Sequence, residues 1–100
     1  MSIKENYGTS QLEKEFGELT FGNAIYSYRL GEEKTQKEFA SFLGISSQSL
    51  CDIEKGRRIP SINRASKIAK KLKEPVKFWI QLALQDMIRK EKLDFLISVA

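Results

Sequence analysis

Apolar residues recur every three or four positions through most of the chain, a period typical of amphipathic helices rather than of strands. Glycine and proline are sparse, with six and two residues, so the pattern has few breaks. It predicts five helices, at about 20–30, 36–43, 47–55, 62–72 and 75–92. We therefore expect an all-α fold.

The ends of these helices carry local signals. Thr35, followed three residues later by Glu38, forms a capping box at the start of the second helix. Ser46 and Ser61 are expected to cap the third and fourth helices, and Pro75 suits the first turn of the fifth. The expected ends of the first three helices are glycines, Gly31, Gly44 and Gly56.

The fifth helix is more apolar than one core requires. Phe78 and Leu82 fall outside its main apolar stripe, and the tail alternates apolar residues at Phe95, Ile97 and Val99, which allows a short C-terminal strand. These five residues predict an interface between two copies of the chain. The alternative is that they close over the N-terminal segment of the same chain.

The second and third helices have the spacing of two short helices packed at a steep angle across a tight turn. Ala40 is small where the third helix must cross, and Gly44 supplies a left-handed turn residue. Apolar residues such as Leu50 can bury the underside of the third helix. Its opposite side is polar and could enter a major groove. That side carries Ser47, Gln48, Cys51, Asp52 and Lys55.

The basic residues are concentrated in one segment. Residues 55–77 contain nine lysines and arginines against the single acid Glu74, so this segment carries a charge of +8 while the whole chain carries +4. Such segregation is expected of a surface that lies against phosphates, although a solvated, lysine-rich helix face is the alternative interpretation.

The inventory of reactive side chains argues against an enzyme. The chain has one cysteine, Cys51, and no histidine, which excludes an intrachain disulfide and a zinc site of the usual kind. It also lacks a phosphate-binding loop and acids at metal-ligand spacing. We expect no cofactor, no metal and no small-molecule substrate.

No segment resembles a signal peptide, and no apolar run approaches the ~20 residues of a membrane span. We therefore expect a cytoplasmic protein that does not associate with membranes.

The run TQKEFASFLGISSQSLCDIEKGRRIPS, followed by NRASKIAKKL, resembles the lambda-repressor-like, or Xre, family of helix-turn-helix proteins over about residues 20–73. The resemblance implies a compact five-helix domain whose third helix binds DNA bases. The expected organisation is an N-terminal extension at 1–19, a helix-turn-helix DNA-binding domain at 20–74, and a C-terminal helix and tail at 75–100 that form the dimer.

The resemblance also implies roles for single residues. Base contacts are expected from the start and exposed side of the third helix, at Ser47, Gln48, Cys51 and Asp52. Asp52 has two interpretations: it accepts from cytosine N4, or it holds Ser49 or Gln48 in place. Contacts to DNA phosphates are expected from Gln36, Lys55, Arg57, Arg58, Ser61 and Asn63.

Two further roles follow from the resemblance. Gln36 would also support the recognition helix, the alternative being a solvated amide. Arg29 and Glu54 would form a structural ion pair that fixes the third helix against the first.

The function implied is that of a dimeric repressor bound to double-stranded DNA. The alternative is an antitoxin, similar to HigA or HipB, that binds its own operator and also a toxin protein. The chain length of 100 residues favours this alternative, because it leaves little room for a ligand-sensing domain. A protein-interaction module without DNA affinity is less compatible with the +8 segment.

Overall fold

The computed structural model describes residues 19–91. These residues form five helices and no strand: α1 is Phe21–Gly31, α2 Gln36–Leu43, α3 Ser47–Glu54, α4 Ile62–Leu72 and α5 Val76–Lys90. The predicted all-α, five-helix architecture is confirmed. The proposed C-terminal strand, with Phe95, Ile97 and Val99, lies outside the described residues, as does the N-terminal extension up to residue 18. No helix within residues 19–91 is long and apolar enough to cross a membrane.

The predicted caps satisfy the free N–H groups at the starts of three helices. Thr35 Oγ1 accepts from the backbone N–H of Glu38 at 3.1 Å while Glu38 Oε1 accepts from that of Thr35 at 2.9 Å, so the capping box is complete. Ser46 and Ser61 each accept a backbone N–H three residues later. Pro75 precedes α5 without a side-chain cap.

The helix ends follow the glycine prediction in two of three cases. Gly44 and Gly56 adopt left-handed φ values of 78° and 77°. Gly31 does not end α1 in this way, because the backbone N–H groups of the next three residues still bond back to carbonyls of α1. The left-handed residue is Glu33, with φ 56°.

One core unites all five helices. Its largest fully buried side chains are Trp79, Phe21, Phe39, Ile25, Leu50 and Ile53. Phe21 and Trp79 pack edge to face with ring centroids 5.2 Å apart. Helix α5 therefore contributes to the same core as the helix-turn-helix.

The prediction that Leu82 lies outside the buried stripe of α5 is wrong. Leu82 is only 6% exposed and belongs to the core of its own chain. Helix α5 packs against both α4 and α1, and its buried residues are Trp79, Leu82 and Ala83, at the spacing of a single helix face. Val76, Ile80 and Met87, the other members of the predicted stripe, are only half-buried, so the buried face is rotated from the predicted one. Phe78, in contrast, remains 41% exposed.

Two side chains of α5 fix the start of α1. Asp86 Oδ2 accepts the backbone N–H of Phe21 at 2.9 Å, and Arg89 Nη1 donates to the carbonyl of Leu19 at 3.3 Å and to Asp86 at 3.2 Å. A carboxylate at a helix N-terminus is also favoured by the helix dipole. These hydrogen bonds attach the N-terminus of α1 to the side of α5.

Candidate nucleic-acid interface

Helices α2 and α3 pack across the turn at Gly44 as a helix-turn-helix. Ala40 is 1% exposed, and Leu50 and Ile53 of α3 are 0% and 1% exposed, so the underside of α3 is fully covered. Ile45, in the turn, packs against the same core. This support holds α3 on the surface with one side directed outward.

The outward side of α3 is polar. Ser47, Gln48 and Lys55 are exposed, and Cys51 and Asp52 are half-buried at its edge. The five residues predicted to face a major groove thus lie on the surface of one helix. The arrangement presents hydrogen-bonding groups of the kind that bind base edges.

Asp52 is the centre of a hydrogen-bond network on this side. Its Oδ1 accepts from Gln48 Nε2 at 3.0 Å and from Arg57 Nε at 3.1 Å, with Arg57 Nη2 2.9 Å away. The bond to Arg57 lowers the pKa of the Asp52 carboxyl below its usual value. The contact to Gln48 is the one that the second interpretation of Asp52 requires, and a bond from Asp52 to cytosine N4 stays a prediction.

The loop after α3 is tied to the helix by the same residue. The backbone N–H groups of Arg57 and Arg58 both donate to the carbonyl of Asp52, at 2.9 and 3.2 Å. The Arg57 side chain folds onto α3, where Nη2 also lies 3.6 Å from Cys51 Sγ. Arg58 is exposed and forms no ion pair with any side chain of residues 19–91.

The structure brings Arg29 and Glu54 together as a bidentate ion pair. Arg29 Nε lies 2.7 Å from Glu54 Oε2 and Nη2 lies 3.1 Å from Oε1, and the two side chains are only 11% and 4% exposed. This hydrogen bonding raises the pKa of Arg29 above its ordinary value. The pair links α1 to the last residue of α3.

Gln36 is hydrogen-bonded to this ion pair. Its Nε2 donates to Glu54 Oε1 at 2.9 Å, so the first residue of α2 is bonded to the end of α3. The carboxylate of Glu54 is thereby held by two helices at once. The side chain of Gln36 is half-buried, which leaves it at the surface beside α3.

The remaining residues expected to contact phosphates lie in two depressions, one between the α2–α3 turn and α4 and the other at the C-terminal end of α3. One is lined by Gly44, Ile45, Ser61 and Asn63, where the start of α4 meets the turn. The other is lined by Gln36 and Lys55 together with Asn23 and Tyr26. The starts of α2 and α4 carry the partial positive charge of helix N-termini, which suits phosphate oxygens.

Sequence reasoning missed two residues of this surface, Asn23 and Tyr26, and the side-chain position of a third, Arg57. Asn23 and Tyr26 come from α1, which no local pattern places beside Lys55. Arg57 was expected to extend from the loop, whereas its side chain lies on α3. Asp52 and Arg57 are five residues apart, a spacing that pairs side chains only because the chain turns at Gly56.

Comparison with known proteins agrees with this geometry. A family model described as helix-turn-helix matches residues 25–79. An uncharacterized HTH-type transcriptional regulator of Methanocaldococcus jannaschii is 44% identical over 48 residues, which are 48% of this chain and 73% of that protein. No solved structure matches the chain. The matched residues contain the whole of the α2–α3 unit, its supporting ion pair and the polar side of α3, and the chain belongs to the helix-turn-helix family.

Proposed function

We propose that the protein is a sequence-specific, DNA-binding transcriptional regulator that inserts α3 into the major groove. The observation that carries this proposal is the polar row of α3 on a helix whose opposite side is fully buried. A depression with Gln36 and Lys55 lies at the end of α3, and a second, with Ser61 and Asn63, lies between the α2–α3 turn and α4. The name of the archaeal relative, an HTH-type transcriptional regulator, supports the same role.

Charge supports an anionic partner. The +8 segment from 55 to 77 includes the loop after α3 and the whole of α4. Exposed Lys67, Lys70 and Lys71 extend the positive field beyond the residues beside α3. A protein that neutralises several phosphates binds in a strongly salt-dependent manner.

The proposal is tested by selecting binding sites from a random duplex library with the full chain. The recovered site should bind at least about 10³-fold more tightly than a scrambled duplex of equal length. Its affinity should fall by orders of magnitude between about 50 and 200 mM salt. Equal affinity for recovered and scrambled duplexes would contradict sequence-specific regulation, and no binding to either would favour a protein-interaction module.

We further infer that the protein acts as a homodimeric repressor in the cytoplasm. A single α3 contacts only a few base pairs, whereas two copies related by a twofold axis contact two half-sites one DNA turn apart. Phe78 of α5 supports a C-terminal interface, since it is a large apolar side chain left 41% exposed. Leu82 takes no part, because it is buried within its own chain.

The antitoxin hypothesis requires the same DNA-binding surface on α3 and, in addition, a surface that binds a protein partner. Large exposed apolar side chains outside α5 are compatible with such a partner; they include Tyr26, Leu30, Phe42 and Ile62. A toxin-like reading frame beside the gene, and a stable complex of the two purified proteins, would favour it over the plain repressor. Absence of a complex at micromolar concentration would count against it.

A further inference from the structure

Arg57 belongs to the loop after α3, but its guanidinium lies on the exposed side of that helix. It contacts Asp52 Oδ1 through Nε at 3.1 Å and through Nη2 at 2.9 Å, and Nη2 is 3.6 Å from Cys51 Sγ. Asp52 and Cys51 both belong to the side of α3 proposed to enter the groove. The side chain is therefore placed among the base-contacting residues, although its backbone is not.

We propose that Arg57 is a specificity-determining residue: oriented by Asp52, its guanidinium binds O6 and N7 of one guanine in the major groove. The sequence had suggested a phosphate contact for this residue. The inference rests on the proposed function, because it names a base that the α3 surface would recognise.

The donors of Arg57 are arranged for this contact. A guanidinium is planar and has five N–H donors, and Asp52 engages the edge formed by Nε and Nη2. The other edge, formed by Nη1 and the second N–H of Nη2, remains for a bidentate partner. On that edge the only hydrogen-bond acceptor within residues 19–91 is the sulfur of Cys51, a weak acceptor that a guanine oxygen can displace.

Guanine is the base that fits this edge. It presents two acceptors, O6 and N7, in the major groove, and a bidentate arginine is the commonest specific contact to it. Asp52 already holds the guanidinium in one orientation in the unbound protein. Less side-chain freedom is then lost on binding, which favours affinity for the correctly placed base.

Electrostatics favours a base over a phosphate as the partner of Arg57. The side chain of Asp52 is 19% exposed, and Arg57 is its only ion-pair partner within residues 19–91. If Arg57 moved to a phosphate, the Asp52 carboxylate would lose this ion pair beside the DNA backbone and keep only the amide of Gln48 and the more distant charge of Arg58. A guanine contact through the far edge leaves the ion pair intact.

Asp52 has a positioning role for two neighbouring side chains. The same Oδ1 atom accepts from Gln48 Nε2 at 3.0 Å, so Gln48 and Arg57 are held side by side. A change at Asp52 should therefore relax base preference at two positions, whereas a change at Arg57 should relax it at one.

The test is binding-site selection with the full chain, comparing the natural protein with Arg57→Ala and with Arg58→Ala as the matched control. The natural protein should prefer one guanine in each half-site by roughly 5- to 150-fold over other bases. Arg57→Ala should lose that preference and keep the others. Arg58→Ala should weaken all duplexes alike and keep the guanine. If Arg57→Ala weakens all duplexes alike with an unchanged base preference, Arg57 contacts a phosphate and the proposal is overturned.

The role of Asp52 is tested with Asp52→Ala and Asp52→Asn. Asp52→Ala should reduce the guanine preference while binding random duplex as tightly as the natural protein or more tightly, because a carboxylate near phosphates is lost. Asp52→Asn, which can still accept from Arg57, should keep part of the preference. Equal loss on all duplexes with a lowered melting temperature would assign Asp52 a purely structural role and overturn the proposal.

The two proposals fail in different ways. If the natural protein binds no duplex specifically, the proposed function fails and this inference falls with it. If the natural protein is specific but retains its guanine preference in Arg57→Ala, only the assignment of Arg57 fails. The circular dichroism of Arg57→Ala and Arg58→Ala should match that of the natural protein, because both side chains are exposed.

Discussion

Arg29 shows how one residue of α1 supports α3. Its guanidinium binds both oxygens of Glu54 and, through Nη1, the carbonyl of Lys34 at 2.9 Å. Gln36 donates to the same carboxylate. Removing the arginine would therefore leave the nearly buried Glu54 with one amide donor in place of a full positive charge.

We expect Arg29→Ala to destabilise the fold by about 3–5 kcal/mol, the usual consequence of leaving one partner of a buried ion pair uncompensated. The matched control is Arg58→Ala, since Arg58 is exposed and forms no ion pair within residues 19–91. Thermal or urea unfolding measures both. Equal stabilities of the two variants would show that the Arg29–Glu54 pair contributes little in solution.

At the scale of helices, Gly22 sets how closely α1 approaches α3. A Cβ atom at Gly22 would overlap the carbonyl oxygen of Ile53 and lie 3.1 Å from that of Glu54. Both are backbone atoms at the end of α3 and cannot rotate away. The glycine that weakens the first turn of α1 as an isolated helix is thus the residue that permits the two helices to pack.

Gly22→Ala should destabilise the protein although alanine is the better helix former. Gly31→Ala is the matched control in the same helix, because a Cβ there meets nothing within 4 Å and φ is not left-handed. The control should gain up to about 1 kcal/mol. Unfolding midpoints that shift down for Gly22→Ala and up for Gly31→Ala would agree with the close approach of α1 and α3. A stabilised Gly22→Ala would contradict it.

At the scale of the whole molecule, each chain contributes one α3, and the homodimer proposed above would supply the second that a specific regulator uses to contact two half-sites. The described face of α5 offers one large exposed aromatic residue, Phe78, whose ring packs edge to face on Trp79 with centroids 5.6 Å apart. The interface proposed in residues 75–100 would cover this ring.

Sedimentation equilibrium at micromolar concentration should give twice the chain mass of 11.5 kDa. Phe78→Glu should give a monomer, because a carboxylate cannot be buried unpaired in an apolar interface. Phe42→Glu is the control, since Phe42 is similarly exposed, at 47%, but lies on α2. A monomeric natural chain would refute the dimer, and loss of the dimer in Phe42→Glu alone would move the interface to α2.

Features that depend on residues a few positions apart were predictable from the sequence alone. The capping box of Thr35 and Glu38, the left-handed Gly44 and Gly56, and the buried and exposed sides of α3 all follow from local hydrogen bonds and the helical period. The order of the five helices and the location of the polar row on α3 rest on the same local rules. The family resemblance added the partner of Arg29, which periodicity alone does not supply.

The contacts between helices were determined only by the tertiary structure. Asp86 caps the start of α1 from 65 residues away. Leu82 is buried because the face of α5 that packs on the core is rotated from the predicted stripe. Gly22 is required by a helix crossing that no period in α1 predicts. The turn at Gly56 likewise returns Arg57 to Asp52 and places an arginine among the proposed base contacts. Such contacts depend on the angles and distances at which helices cross. The packing of the whole core determines these angles and distances, and the spacing of residues along one helix does not.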